Sequence, residues 1–262
     1  MNRVISLSIF FTICIILIAG NSDLSAQEKF EDPDQARTIF DEMEERRKTI
    51  ETETALMQMV ITDPRGRTRT RKLQTWTKYS GDDTSTLLVF SEPGNVRGTG
   101  LLNLDEENSR TQRLFLPSVG RIQTIGSSER GDRFMGSDFT YEDLGSQNSD
   151  EFEFDWLIKH DQFYTIRAKK IDSDQYAYLE FDIHRERYTA DEIRYFDSSD
   201  ELIKQLKAEN FEQITDRLWS PSKMIMTDHR EGRSTTLVWQ NREVNQVIES
   251  WRFTERGLRR GI

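Results

Sequence analysis

The sequence has 262 residues, and its 46 Asp and Glu against 36 Lys and Arg give a formal net charge of −10 at pH 7. This acidic balance argues against nucleic acid as a partner, because binding a phosphate backbone needs net or local positive charge. The single cysteine, Cys14, excludes disulfides, thiolate metal sites and cysteine nucleophiles from the rest of the chain.

The beginning of the chain predicts a secretory signal. Arg3 supplies a positive start, residues 4–20 are almost wholly apolar, and a small-x-small exit ends at Ala26. We expect cleavage after Ala26, which makes residues 1–26 the signal and residues 27–262 one exported domain in the periplasm. The alternative is an uncleaved membrane anchor, but the apolar stretch is slightly short for a spanning helix, which needs about 20 residues.

One amphipathic helix is predicted next. Asp32 is suited to cap it, Pro33 to occupy its first position, and Gln35 its third. We expect it to end near Glu51. Apolar residues recur at helical spacing on one face: Ala36, Ile39, Phe40, Met43 and Ile50.

From there almost to the end, alternating residues and turn signals predict strands. The predicted strands are 57–61, 67–79, 84–90, 98–104, 109–116, 152–156, 163–169, 176–184, 192–196, 202–211, 223–228, 234–240 and 247–253. Strands at such regular spacing favour a meandering antiparallel sheet, as a sandwich or a barrel. Residues 117–138 form the longest stretch without a strand pattern, and long irregular stretches in compact domains are usually functional loops or lids.

The most informative stretch lies at that loop and just beyond it. Residues 134–144 read Phe-Met-Gly-Ser-Asp-Phe-Thr-Tyr-Glu-Asp-Leu. This segment resembles the most recognisable part of the outer membrane lipoprotein-sorting proteins, relatives of the periplasmic lipoprotein carriers (the LolA-like/LolB-like superfamily). The tail is similar to that family as well, at residues 218–226, 235–237 and 253–254.

The resemblance implies a fold that is mainly β with a helical cap. The strands would form a strongly curved antiparallel meander, an unclosed half β-barrel around an apolar cavity, α+β overall. The implied cargo is a lipid or an acylated lipoprotein, and the implied partner is an inner-membrane exporter of the RND or lipid-export type, with transient membrane contact. The candidate residues lining the cavity or its lid are Phe134, Met135, Phe139 and Tyr141.

A local basic run stands out in the acidic chain. Arg67, Arg69 and Arg71 would share one face of a strand. They fit the solvated outer face of an antiparallel sheet, or a docking patch for an acidic partner or an anionic membrane surface.

Catalytic chemistry finds little support. The histidines His160, His184 and His229 lie far apart and show no metal-ligand spacing. The best carboxylate cluster consists of Asp132, Asp138, Glu142 and Asp143. An acid/base pair is one interpretation of it, but a loop that caps its own turns is favoured. We predict no catalytic residue, no metal and no cofactor.

Two functional hypotheses follow. The first is a periplasmic carrier that shields a lipid or lipoprotein acyl chain during transfer across the envelope. The second is a non-enzymatic adaptor whose filled sheet docks on a transporter or envelope protein through Arg67, Arg69 and Arg71. An envelope hydrolase, the third class, has no constellation of residues behind it.

Overall fold

The computed structural model describes residues 32–106, 109–145, 148–171, 173 and 175–262. The predicted signal at residues 1–26 and Cys14 lie outside the described residues. So does the start of the predicted domain, residues 27–31.

The first element is the predicted helix, α1, at Pro33–Arg47. Asp32 caps it through a side-chain oxygen that accepts from the Gln35 N–H at 2.9 Å. The helix ends four residues earlier than expected, at Arg47, yet Ile50 is still buried. An apolar residue that follows helical spacing can therefore reach the core from the turn after the helix.

Thirteen strands follow the helix in the described part of the chain. They are β1 Thr52–Thr62, β2 Thr68–Ser80, β3 Asp83–Glu92, β4 Gly100–Glu106, β5 Ser109–Leu116, β6 Arg121–Thr124, β7 Phe152–Lys159, β8 Phe163–Lys170, β9 Tyr178–His184, β10 Ala190–Phe196, β11 Leu202–Gln213, β12 Trp219–Asp228 and β13 Arg233–Val244. All neighbours are antiparallel, in the order β6-β5-β4-β3-β2-β1-β13-β12-β11-β10-β9-β8-β7. The predicted fold class, a mainly β open barrel, is confirmed.

This order explains why the chain crosses the inside of the fold. The first and last strands, β1 and β13, pair in the middle of the sheet, whereas β6 and β7 are its two edges. The connection from β6 to β7 must therefore travel from one edge of the sheet to the other. That connection contains the motif of residues 134–144, together with short 3-10 helices at Ser127–Glu129, Phe134–Gly136 and Ser149–Glu151.

Two segments differ from the sequence prediction. The stretch 117–138 contains the short strand β6, which pairs with β5. The predicted last strand at 247–253 is wrong: a 3-10 helix at Ser250–Phe253 is followed by a second helix, α2, at Glu255–Arg260. The alternation rests on Trp251 and Phe253 alone, and a pattern of two residues is too short to distinguish a strand from a helical turn.

The second helix packs on the outer face of the sheet. Phe253 and Leu258 join Trp76, Leu87, Val89 and Leu102 in a small apolar cluster there. Thr254 caps α2 by accepting from the Gly257 N–H. Gly257 is required because a Cβ there would lie 2.1 Å from the Arg252 carbonyl oxygen.

Candidate functional site

The inner face of the sheet carries the main apolar cluster, and its methionine content is unusual. Every methionine in the described part of the chain belongs to it or packs against it: Met43, Met57, Met59, Met135, Met224 and Met226. Methionine is unbranched and polarisable, so it adapts to neighbours of different shapes. The methionines of this interior can therefore repack when their neighbours move.

Helix α1 covers one part of this face. Its Phe40 is fully buried and lies with its ring centroid 5.3 to 5.5 Å from those of Phe152, Phe154 and Phe181. Tilted and edge-on aromatic pairs at this spacing are favourable beyond the area they bury. The helix is thereby fixed over β7 and β9.

The second cover is the segment of residues 130–144, which we call the plug. The Phe134 ring stacks on Phe90 of β3 at 5.6 Å and meets Tyr141 edge-on at 5.7 Å. Three of the four predicted lining residues, Phe134, Phe139 and Tyr141, are buried in the inner cluster. The fourth, Met135, is partly buried at the turn of the plug with a positive φ of 51°. In this structure the four residues therefore belong to a cover that packs into the inner face of the sheet.

One buried ion pair joins the plug to the centre of the sheet. The fully buried carboxylate of Asp138 lies 2.6 Å from the Arg233 Nε on β13. Thr235, also buried, donates its hydroxyl to the second Asp138 oxygen at 2.6 Å and accepts from the Asp138 N–H at 2.9 Å. Arg233 in addition donates to the Gly136 carbonyl at 2.6 Å.

A second set of charges holds the end of the plug. Lys204 of β11 donates to Asp143 at 2.6 Å and to the Tyr176 hydroxyl at 3.2 Å. Burial raises the pKa of Tyr176, so its hydroxyl stays protonated beside the carboxylate. Lys170 of β8 lies 3.0 Å from Glu142. The acidic residues of the motif thus pair with bases of the sheet, while Asp143 also caps its own turn by accepting from the Thr140 N–H.

The predicted docking arginines lie at the end of the sheet where the plug turns. Arg67 precedes β2 and pairs with Asp63 in the adjoining turn. Arg69 and Arg71 belong to β2, where they sit opposite Ile61 and Met59 on the inner face. The expected outer face is wrong for these two, although Arg69 is exposed to solvent. Arg71 donates to the Met135 carbonyl at 2.5 Å and lies 5.6 Å from the Phe90 ring centroid.

Glu44 of α1 makes the helix cover sensitive to pH. Burial raises the pKa of Glu44 to about 7 from an ordinary 4.5, against a smaller opposing effect of Arg47. Because the folded state holds this proton more tightly than the unfolded chain, stability is greatest below the unfolded pKa and falls as pH rises through 7. We expect Glu44→Gln to remove that decline, leaving the variant relatively more stable above neutral pH than below it.

This expectation is checked by denaturant unfolding of wild type and variant at about pH 5 and about pH 8. Glu153→Gln, at an exposed position of β7, is the matched control and should leave the pH trend unchanged. An identical pH trend in wild type and Glu44→Gln would show that the carboxyl of Glu44 is not the titrating group.

The described residues contain no group of three or more His, Cys, Asp or Glu placed to hold a metal ion. His160 instead stacks on Phe163 at 4.2 Å and shares a hydrogen bond with Thr165 at 3.0 Å. Within that same part of the chain, no helix is long and apolar enough to cross a membrane. Two surface clefts, of about 260 and 360 Å³, are lined largely by polar and charged residues such as Asp182, Glu192 and Lys78.

Sequence reasoning missed the basic residues that hold the plug. Lys170, Lys204 and Arg233 each lie two positions from an inward-facing apolar or small residue, so strand periodicity alone places them inside. Charged residues at inward positions are costly unless paired. That mismatch was the available signal for a buried acidic partner.

Comparison with known proteins extends this description. A family model whose description reads "-like: Uncharacterized protein" matches residues 82–260. No curated protein sequence matches the chain.

Three solved structures are similar over most of their length. An outer membrane lipoprotein-sorting protein domain from Vibrio parahaemolyticus has a TM-score of 0.81 and 24% identity, covering 87% of this chain and 100% of its own. A DUF1329 family protein from Desulfovibrio piger has a TM-score of 0.80 and 22% identity, with the same coverage of both chains. A LolA superfamily protein from Nitrosomonas europaea has a TM-score of 0.65 and 18% identity, covering 84% of this chain and 97% of its own. The resemblance predicted from the motif is confirmed at the level of the fold.

Proposed function

The chain belongs to the family whose model spans residues 82–260 and has the fold of outer membrane lipoprotein-sorting and LolA-superfamily structures, and from this we propose a carrier function. The protein would shield the acyl chain of a lipid or lipoprotein during transfer across the periplasm. One observation carries the proposal: an open sheet whose apolar, methionine-rich inner face is covered by a helix and a loop instead of a second sheet.

Such covers suit a carrier because they can move without breaking the sheet. The plug donates no strand to the sheet ladder. Its isolated β-bridge, between Arg133 and Thr140, is internal, and contacts to side chains such as Thr235 and Lys204 join it to the sheet. Moving it would expose Phe90 and the inner rows of β1 and β2 to an incoming chain. Each methylene group removed from water contributes about 0.8 kcal/mol, so an acyl chain can replace the contacts that the plug loses.

Location and partners belong to the same proposal. A cleaved signal ending at Ala26 would deliver the protein to the periplasm. There an inner-membrane exporter would supply cargo, with transient contact at the membrane. No catalytic step is proposed, since carriage requires only binding and release.

Lipid mass spectrometry of the protein purified from its native envelope tests the carrier. We expect a stoichiometric lipid or acylated species, and displacement of a bound fluorescent fatty acid by unlabelled acyl chains. An empty protein that also refuses added acyl chains would contradict the proposal.

The filled interior favours one alternative, an adaptor that never carries lipid. In that case Arg67 and Arg69, both exposed, would contact a transporter or envelope protein. Arg67→Glu with Arg69→Glu should then abolish capture of that partner while the fold persists. Arg71 is left unchanged in this test because it contacts the plug. Capture that survives the charge reversal would count against the adaptor.

A further inference from the structure

The inner face of β2 changes from apolar to basic toward the end of the sheet where the plug turns. Along the paired strands, Leu73 lies opposite Met57, Arg71 opposite Met59, and Arg69 opposite Ile61. Leu73 is buried, with 1% of its surface exposed, whereas Arg69 lies in solvent. A row of apolar side chains therefore continues directly into two guanidinium groups.

These two arginines differ from other arginines of the inner face in having no acidic partner within the described part of the chain. Among the residues that the structure describes, no carboxylate lies within 4 Å of Arg69 or Arg71, whereas Arg110 and Arg233 each contact at least one. Burial and the neighbouring Arg69 together lower the pKa of Arg71. The half-buried Arg71 guanidinium contacts the Met135 carbonyl and the face of Phe90, both of which are uncharged.

We propose that Arg69 and Arg71 bind the anionic headgroup, a phosphate or a carboxylate, of an acyl amphiphile whose chain lies along the neighbouring apolar row. This inference rests on the proposed carrier function and names its cargo class. A protein carboxylate fits less well, because a ligand that satisfies both the arginines and the apolar row must join an anion to a hydrocarbon chain.

The same contact would couple binding to opening. A charged oxygen binds a guanidinium more strongly than a neutral carbonyl does, because Coulomb attraction between opposite charges adds to the hydrogen bond. The headgroup would therefore displace the Met135 carbonyl from Arg71 and free the turn of the plug. Arg233, which holds the adjacent Gly136 carbonyl, remains neutralised by Asp138 and keeps the rest of the plug in place.

The test compares probes that share one chain and differ in headgroup charge. Palmitic acid and palmitoyl lysophosphatidylglycerol are anionic, and palmitoyl lysophosphatidylcholine is zwitterionic. We expect wild type to bind both anionic probes about tenfold more tightly than the zwitterionic one, the effect of a charged hydrogen bond. Arg69→Gln with Arg71→Gln should bring the three affinities together, because the net charge of the headgroup then no longer has a cationic partner on this face.

Arg65→Gln with Arg67→Gln is the matched control. It removes equal charge from the adjoining turn, so it should preserve the headgroup preference. Arg69→Gln alone, at an exposed position, should weaken the preference without risk to the fold. Preference for one anionic probe only would assign the headgroup as phosphate or carboxylate.

Two results would overturn the inference, and they are distinguishable. If all probes bind equally, or the control variant loses as much preference as the test variant, the headgroup site is wrong and the carrier stands. If no probe binds wild type, the carrier function itself fails and the headgroup site fails with it.

Discussion

Replacing Asp138 with alanine is expected to lower the free energy of unfolding by about 3–5 kcal/mol, the usual cost of breaking a buried ion pair by removing one partner. The Asp138 side chain has no exposure and that of Arg233 is 15% exposed. Without the carboxylate, the guanidinium keeps a charge that little water can reach. Thr235 also loses the acceptor of its buried hydroxyl.

Denaturant unfolding at neutral pH measures this loss. Asp150→Ala is the control, since Asp150 pairs with Arg37 at the surface with 83% of its side chain exposed, and exposed pairs contribute little. Asp138→Asn should fall between wild type and alanine, because the amide still accepts from Thr235. Equal stability of Asp138→Ala and Asp150→Ala would show that the plug is not anchored through this pair.

Local features of the fold are predictable from sequence because their causes lie within a few residues. The helix α1 follows from the Asp32 cap, Pro33 and one apolar stripe, and its start is confirmed. Most strands follow from alternation between turns. The hairpin of β4 and β5 is confirmed, for example, by the pairing of Gly100 with Phe115 through Glu106 with Ser109.

The path of the plug is not predictable in this way. It depends on β6 and β7 being opposite edges of one sheet, a property of the whole strand order. The motif gave the apolar residues of the plug, Phe134, Phe139 and Tyr141, but not their partners. Asp138 and Arg233 lie 95 residues apart in sequence, so nothing local connects them.

The balance of forces on the plug bears on its proposed movement. Taking both charges of an ion pair out of water costs much of what their attraction returns. Pairs such as Asp138 with Arg233 and Asp143 with Lys204 therefore fix the position of the plug more than they stabilise it. An all-apolar segment would hold the same place more firmly, and it would compete more strongly with an acyl chain for the inner face.

Replacing Phe134 with alanine should separate movement of the plug from movement of the helix. The fully buried Phe134 ring packs against Phe90 and Tyr141, so its loss should cost about 3–5 kcal/mol of unfolding free energy. Phe40→Ala is the matched control, because Phe40 is equally buried but anchors α1. The two variants remove the same ring from the two covers.

Amide hydrogen exchange then shows which cover opens. With Phe134→Ala, exchange should rise in residues 130–144 and stay unchanged in α1; with Phe40→Ala the pattern should reverse. If the plug is the gate, only Phe134→Ala should speed the uptake of a fluorescent fatty acid. Deleting the Phe134 ring leaves a space beneath the plug, so less of the plug has to move before the acyl chain can enter. Faster uptake by Phe40→Ala alone would assign the gate to the helix. Faster amide exchange in both the plug and α1, in either variant, would mean that the two covers open as one unit.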